Sequence, residues 1–121
     1  MKHLATCLLL LALIFSGCAT LDSGADPIVV NAERTIEVAR VTMDSFLRFE
    51  FNHRSKCPAD VQAAAEAMRR NAPEWFRRAH RLKLAYKQNR GADNKADLLT
   101  ALSVLQTAAS EAATALAKHA Q

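Results

Sequence analysis

The chain has 121 residues, a formal net charge of +4 and 50% hydrophobic residues, but much of the apolar content is bunched at the N-terminus and says little about a folded core. The remainder is alanine-rich, and the whole chain holds only three glycines and three prolines. That composition argues against a β-sandwich and against a Gly-punctuated nucleotide-binding α/β domain. What it leaves is a small all-helical domain behind an export signal.

Met1, Lys2 and His3 form a short basic start, and residues 4–17 form an apolar run of about fourteen residues. Such a run is short for a membrane span and suited to a secretion signal, so residues 1–17 read as a signal peptide. Its end, Phe15-Ser16-Gly17-Cys18, resembles the lipobox of bacterial lipoprotein precursors, with phenylalanine where leucine is more usual. The resemblance covers residues 1–18, and no family is recognised for residues 19–121. It implies cleavage before Cys18, a lipid chain on Cys18, and a protein held in the bacterial cell envelope. Ala19 and Thr20 stand in place of the aspartate that retains enteric lipoproteins at the inner membrane, so the same resemblance implies the outer membrane, facing the periplasm. Several acyl chains make such an anchor effectively permanent.

Cys7 then leaves with the signal and Cys18 is acylated, so Cys57 remains alone and no disulfide within the chain is available. A single thiol in an oxidising compartment is either buried or bridges two copies, which leaves a homo-dimer through Cys57 open. Residues 18–25 comprise the acylated cysteine and a short polar tether. The seven residues after Cys18 reach at most about 25 Å when extended, which keeps the folded part near the membrane.

Residues 26–121 read as a bundle of three helices at about 27–54, 58–90 and 94–119. Asp26 suits an N-cap and Pro27 the first helical position. Val29, Ala32, Ile36, Ala39, Met43 and Phe46 advance by alternating threes and fours, the spacing of a heptad seam. The second seam is Val61, Ala65, Met68, Ala72, Trp75, Ala79, Leu82 and Tyr86, ending near Gly91. Pro73 lies within it and predicts a kink or break, with a kink favoured because the apolar phase continues across it. Asn94 with Asp97 suits a reciprocal cap for the third helix, whose seam is Leu98, Leu102, Leu105, Ala109, Ala112 and Leu116. Short connections predict antiparallel neighbours, hence an all-α, up-down-up three-helix bundle.

Chemistry-bearing patterns are sparse. His53, His80 and His119 are scattered, and no His-x-x-His, Cys-x-x-Cys, phosphate loop or nucleophile elbow occurs. No metal, cofactor or enzymatic activity is therefore expected. Glu33, Glu37, Asp44 and Glu50 alternate with Arg34, Arg40 and Arg48, which reads as a solvated mixed-charge face. Phe46, Trp75 and Tyr86 fall on seams and belong to the core. Phe49, Phe51 and Phe76 fall off the seams, where they either widen the core or form an exposed apolar patch.

Charge placement departs furthest from a neutral scaffold. Between residues 69 and 90 there are eight cations and Glu74 is the one acid, a surplus of seven. Arg70, Arg77 and Arg81 lie within about 40° of one another on a helical wheel, opposite the seam, with Arg78 beside them. A basic face of this kind suits an anionic envelope surface or an acidic face of another envelope protein. Nucleic acid is chemically compatible but topologically implausible for a secreted lipoprotein. The leading expectation is a lipid-anchored, periplasm-facing adaptor or structural module. A lysis accessory is the alternative, since size and lipobox resemble phage outer-membrane spanin subunits, although their proline-rich tail is lacking. An enzyme with an unrecognised site is the remaining one.

Replacing the acceptor cysteine tests the anchor directly. Cys18→Ser should abolish fatty-acid incorporation and retain the precursor length, as read by metabolic labelling with a fatty-acid analogue. A wild type that takes up no label would overturn the lipoprotein reading.

Overall fold

The computed structural model describes residues 24–120, and these form three long helices and no strand. The segment read as a signal peptide, the lipobox-like residues with Cys18 and most of the expected tether lie outside the described residues. Helix α1 spans Pro27–His53, a single 3-10 turn occupies Arg54–Lys56, α2 spans Ala59–Gln88 and α3 spans Ala92–His119. Connections of a few residues turn the chain back twice, so the helices pack up, down and up, and α3 contacts both of its neighbours. The fold is the antiparallel three-helix bundle that the periodicity predicts.

Helix α1 begins as its sequence dictates. The Asp26 side chain accepts a hydrogen bond from the Ile28 amide at 2.8 Å, and Pro27 occupies the first turn, where no amide is required. The junction between α2 and α3 differs from expectation. Helix α2 stops at Gln88, and Gly91 serves as the N-terminal cap residue of α3, with φ of −65° in place of the left-handed conformation that would close α2. The cause is Asn89, which is extended and whose Oδ1 accepts the Gly91 amide at 3.1 Å, sending the chain straight into the next helix. Asn94 consequently lies inside α3, which starts at Ala92. Its Nδ2 donates to the Asn89 carbonyl at 2.8 Å, and the reciprocal cap with Asp97 is not formed.

Pro73 does not break α2, which runs as one helix through it. Proline removes one backbone bond and crowds the preceding turn, a penalty of about 3 kcal/mol in an isolated helix. Here the buried residues Met68, Ala72 and Ala79 on either side hold the segment in phase against α1 and α3.

The seams are the core. Ala32, Ile36, Ala39, Met43 and Phe46 of α1 meet Val61, Ala65, Met68, Ala72, Ala79 and Tyr86 of α2 and Leu98, Leu102, Leu105 and Ala112 of α3, all buried. Ala101 and Ala108 widen the buried strip of α3, while Val29, Trp75, Leu82, Ala109 and Leu116 pack against it half-buried. Among the described residues the core side chains run from Ile28 to Leu116. Burial of each leucine or phenylalanine contributes about 1.5–3 kcal/mol.

Leu102 is 2% exposed and Leu99 is 43% exposed, although both lie in the same turn of α3. Leu102→Asp should lower stability by about 3 kcal/mol or more, as an unpaired charge in an apolar interior does. Leu99→Asp should change it by less than about 1 kcal/mol. Chemical denaturation of both variants distinguishes them, and equal shifts would mean that the seam of α3 is out of phase.

Candidate functional site

The bundle holds three regions where polar chemistry gathers, namely its two ends and the outer face of α2. At the end where the chain enters, the Asp26 carboxylate is a junction. Besides capping α1, its Oδ2 accepts from the Tyr86 hydroxyl at 3.2 Å and stands 3.3 Å from Arg90 Nε. Burial works to raise the Asp26 pKa, but the Ile28 amide, the Tyr86 hydroxyl and the Arg90 charge together hold the carboxyl below its ordinary value. Burial and the Asp26 bond push the Tyr86 phenol up. Lys83, about a turn before Tyr86, reaches Glu33 at 3.3 Å.

Toward the opposite end, Glu50 is fully buried. This corrects its placement on a solvated face. Glu37 and Asp44 do lie there, paired with Arg40 at 2.6 Å and Arg48 at 2.9 Å, but Glu50 falls four residues after Phe46 and so continues the seam inward. Its charge is met by Arg69, which hydrogen-bonds to Oε2 and also approaches the Leu47 carbonyl at 3.4 Å. Oε1 accepts no hydrogen bond and has Arg54 Nη1 at 3.3 Å as its ionic counterpart. Arg54 in turn binds Glu66 at 2.5 Å. That hydrogen bond and charge hold the Glu66 carboxyl below its usual range, with smaller pulls from Arg70 and Arg69. The arrangement has the partners of a structural ion pair that ties α1 to α2.

Beyond it lies a cleft of about 450 Å³ lined by Phe49, His53, Lys56, Cys57, Pro58, His119 and Ala120. Cys57 is a free, buried thiol at the start of this cleft, so a bond between two copies would require this end of the bundle to open. The His53 ring stacks on Phe49 with centroids 4.9 Å apart, and its Nδ1 lies 3.0 Å from the Phe49 carbonyl oxygen. Among the described residues no three His, Cys, Asp or Glu side chains stand close enough to share a metal ion.

The outer face of α2 carries the candidate site. Arg70, Arg77, Arg78 and Arg81 are all exposed. Arg77 pairs with Glu74 at 3.1 Å and donates to the Pro73 carbonyl at 3.3 Å. Arg70, Arg78 and Arg81 form no ion pair among the described residues. The eight cations between residues 69 and 90 therefore divide by role. Arg69, Lys83 and Arg90 bind acids of α1 or its cap, Arg77 pairs with Glu74 within α2, and Arg70, Arg78, Arg81 and Lys87 form no ion pair among the described residues. Leu84, on the same outer face one turn beyond Arg81, is 55% exposed.

The off-seam phenylalanines separate. Phe49 and Phe76 pack against the core, and Phe51 is 74% exposed. No described helix is long and apolar enough to cross a membrane. Compared with known proteins, the chain matches no family model, no curated protein and no solved structure.

Two features here were missed in the sequence, and each had a signal. Glu50 extends the heptad spacing of residues 36, 39, 43 and 46 by one step. Leu84 is an apolar residue opposite the seam.

Removing one partner of the buried pair should expose its importance. Arg69→Leu leaves Glu50 with Arg54 alone and should lower stability by about 3 kcal/mol. Glu50→Leu combined with Arg69→Leu should restore most of that loss, because two apolar side chains need no counter-charge. Urea unfolding of the single and double variants checks both statements. A single variant as stable as the wild type would mean that the pair does not hold α1 to α2.

Proposed function

We propose that this protein is a lipid-anchored helical module of the bacterial envelope, facing the periplasm from the outer membrane. It works by binding, as an adaptor or structural subunit, and the outer face of α2 is its contact with an anionic partner. One observation supports the binding reading most strongly. Arg70, Arg78 and Arg81 are exposed on one helix with no acidic side chain in ion-pair contact, and Glu74 is the one acid between residues 69 and 90. Exposed arginines contribute little to stability, so the fold itself does not account for an unmatched cluster. The lipobox-like segment before Cys18 supports the address, since it places a folded domain on a short tether at a membrane surface.

Changing Arg70, Arg77 and Arg81 together to glutamine should leave helix content and melting nearly unchanged. For the unacylated fragment 19–121, co-sedimentation with anionic vesicles, lipopolysaccharide or purified sacculi should fall several-fold at 0.1 M salt, where the Debye length is about 10 Å, and vanish for both proteins at 1 M, where it is about 3 Å. Equal sedimentation of variant and wild type at low salt would show that the arginine face is not the contact.

A further inference from the structure

The register of the helices gives the net charge a direction. Lys83 with Glu33, Arg69 with Glu50 and Arg54 with Glu66 fix how α2 runs back along α1. The half of the bundle nearest Asp26 thus comprises residues 24–40, 77–91 and 92–105. That half contains nine Lys and Arg against five Asp and Glu, and the other half contains six of each. The whole surplus of the described residues therefore sits at the end where the chain enters from its N-terminal side. Arg90 and Tyr86 hold that entry point against α2 through Asp26.

At this same end the outer face of α2 places Leu84, 55% exposed, among Arg77, Arg81 and Lys87. Leu84 succeeds Arg77 and Arg81 at helical spacing on one face. An apolar side chain framed by cations is the pattern of a surface that lies on a bilayer, with the charges at the phosphates and the apolar group at the acyl boundary. A carbohydrate mesh offers no apolar layer to receive a leucine.

We propose that the tether-proximal part of the α2 face, Arg77, Arg81, Leu84 and Lys87, docks on the anionic phospholipid headgroups of the membrane to which the protein is anchored. This rests on the lipid-anchor reading above and adds an orientation to it. The tether after Cys18 reaches at most about 25 Å, so the domain is held within reach of the bilayer, and the charge asymmetry selects which side turns toward it. The far end, with the cleft at Cys57 and the exposed Phe51, then points away into the aqueous space.

Full-length acylated protein reconstituted in vesicles tests the orientation. Trp75 is the single tryptophan, so Trp75→Phe supplies a silent background into which Leu84→Trp or Phe51→Trp places a reporter. Brominated acyl chains quench only nearby indoles. In vesicles of phosphatidylcholine with one third phosphatidylglycerol, tryptophan at position 84 should be quenched at least threefold more than at position 51. The difference should disappear in pure phosphatidylcholine, in 1 M salt, and when Arg77, Arg81 and Lys87 are changed to glutamine. Flotation with the vesicles, but equal quenching at the two positions, would retain the anchor and overturn the docking. Quenching at position 84 that survives the three glutamines would overturn the role of the cations. Failure to float would remove the anchor and the docking together.

Discussion

Close approach of three helices along alanine-bearing seams is the constraint on which the other features depend. Ala32, Ala39, Ala65, Ala72, Ala79, Ala101, Ala108 and Ala112 are all buried. An alanine contributes little apolar area, but it lets neighbouring backbones come close enough for continuous van der Waals contact. The larger side chains, among them Met43, Phe46, Met68, Leu98 and Leu105, must then interleave with these small positions. A slip of one helix by a turn would set large residues against large ones, so the distribution of alanine specifies register as well as closeness. It also explains how α2 can carry Pro73 without breaking, since the segment around it is clamped on its buried side.

Two polar fasteners complete what the seams begin. Asp26 closes one end by joining the start of α1 to the last turn of α2, and Glu50 with Arg69 closes the other from within the seam. A buried ion pair adds little net stability over an apolar pair, because desolvation offsets the Coulomb attraction. Its effect is selective, because a misaligned bundle would leave Glu50 buried without Arg69.

The seams were legible in the sequence because an alternating three-and-four spacing has one helical meaning. Residues from Ala32 to Phe46 and from Val61 to Tyr86 carried enough consecutive steps to fix both face and phase. Helix ends were less legible. The turn at Asn89 and Gly91 depends on one side-chain acceptor and an extended backbone, whereas the capping pattern of Asn94 and Asp97 is satisfied locally by several arrangements. Glu50 escaped because its type spoke for solvent while its position spoke for the core, and in a packed bundle position prevails. The arginine face was readable as a direction on the helix. Which of its neighbours are neutralised was not, because Lys83 and Arg90 find their acids on α1 and its cap, far away in sequence.

The junction at Asp26 has a mechanical consequence. Among the described residues, a pull from the N-terminal side is first met at this residue, where the cap bond to Ile28, the Tyr86 hydroxyl and the Arg90 guanidinium converge. Force applied there stretches those three contacts first and then the opening turns of α1, one after another. Resistance to such traction is that of a few bonds at a time, as in a zip. The hairpin of α2 and α3 lies off the path of the strain, so the module would lengthen under tension by surrendering α1 while that hairpin stays paired.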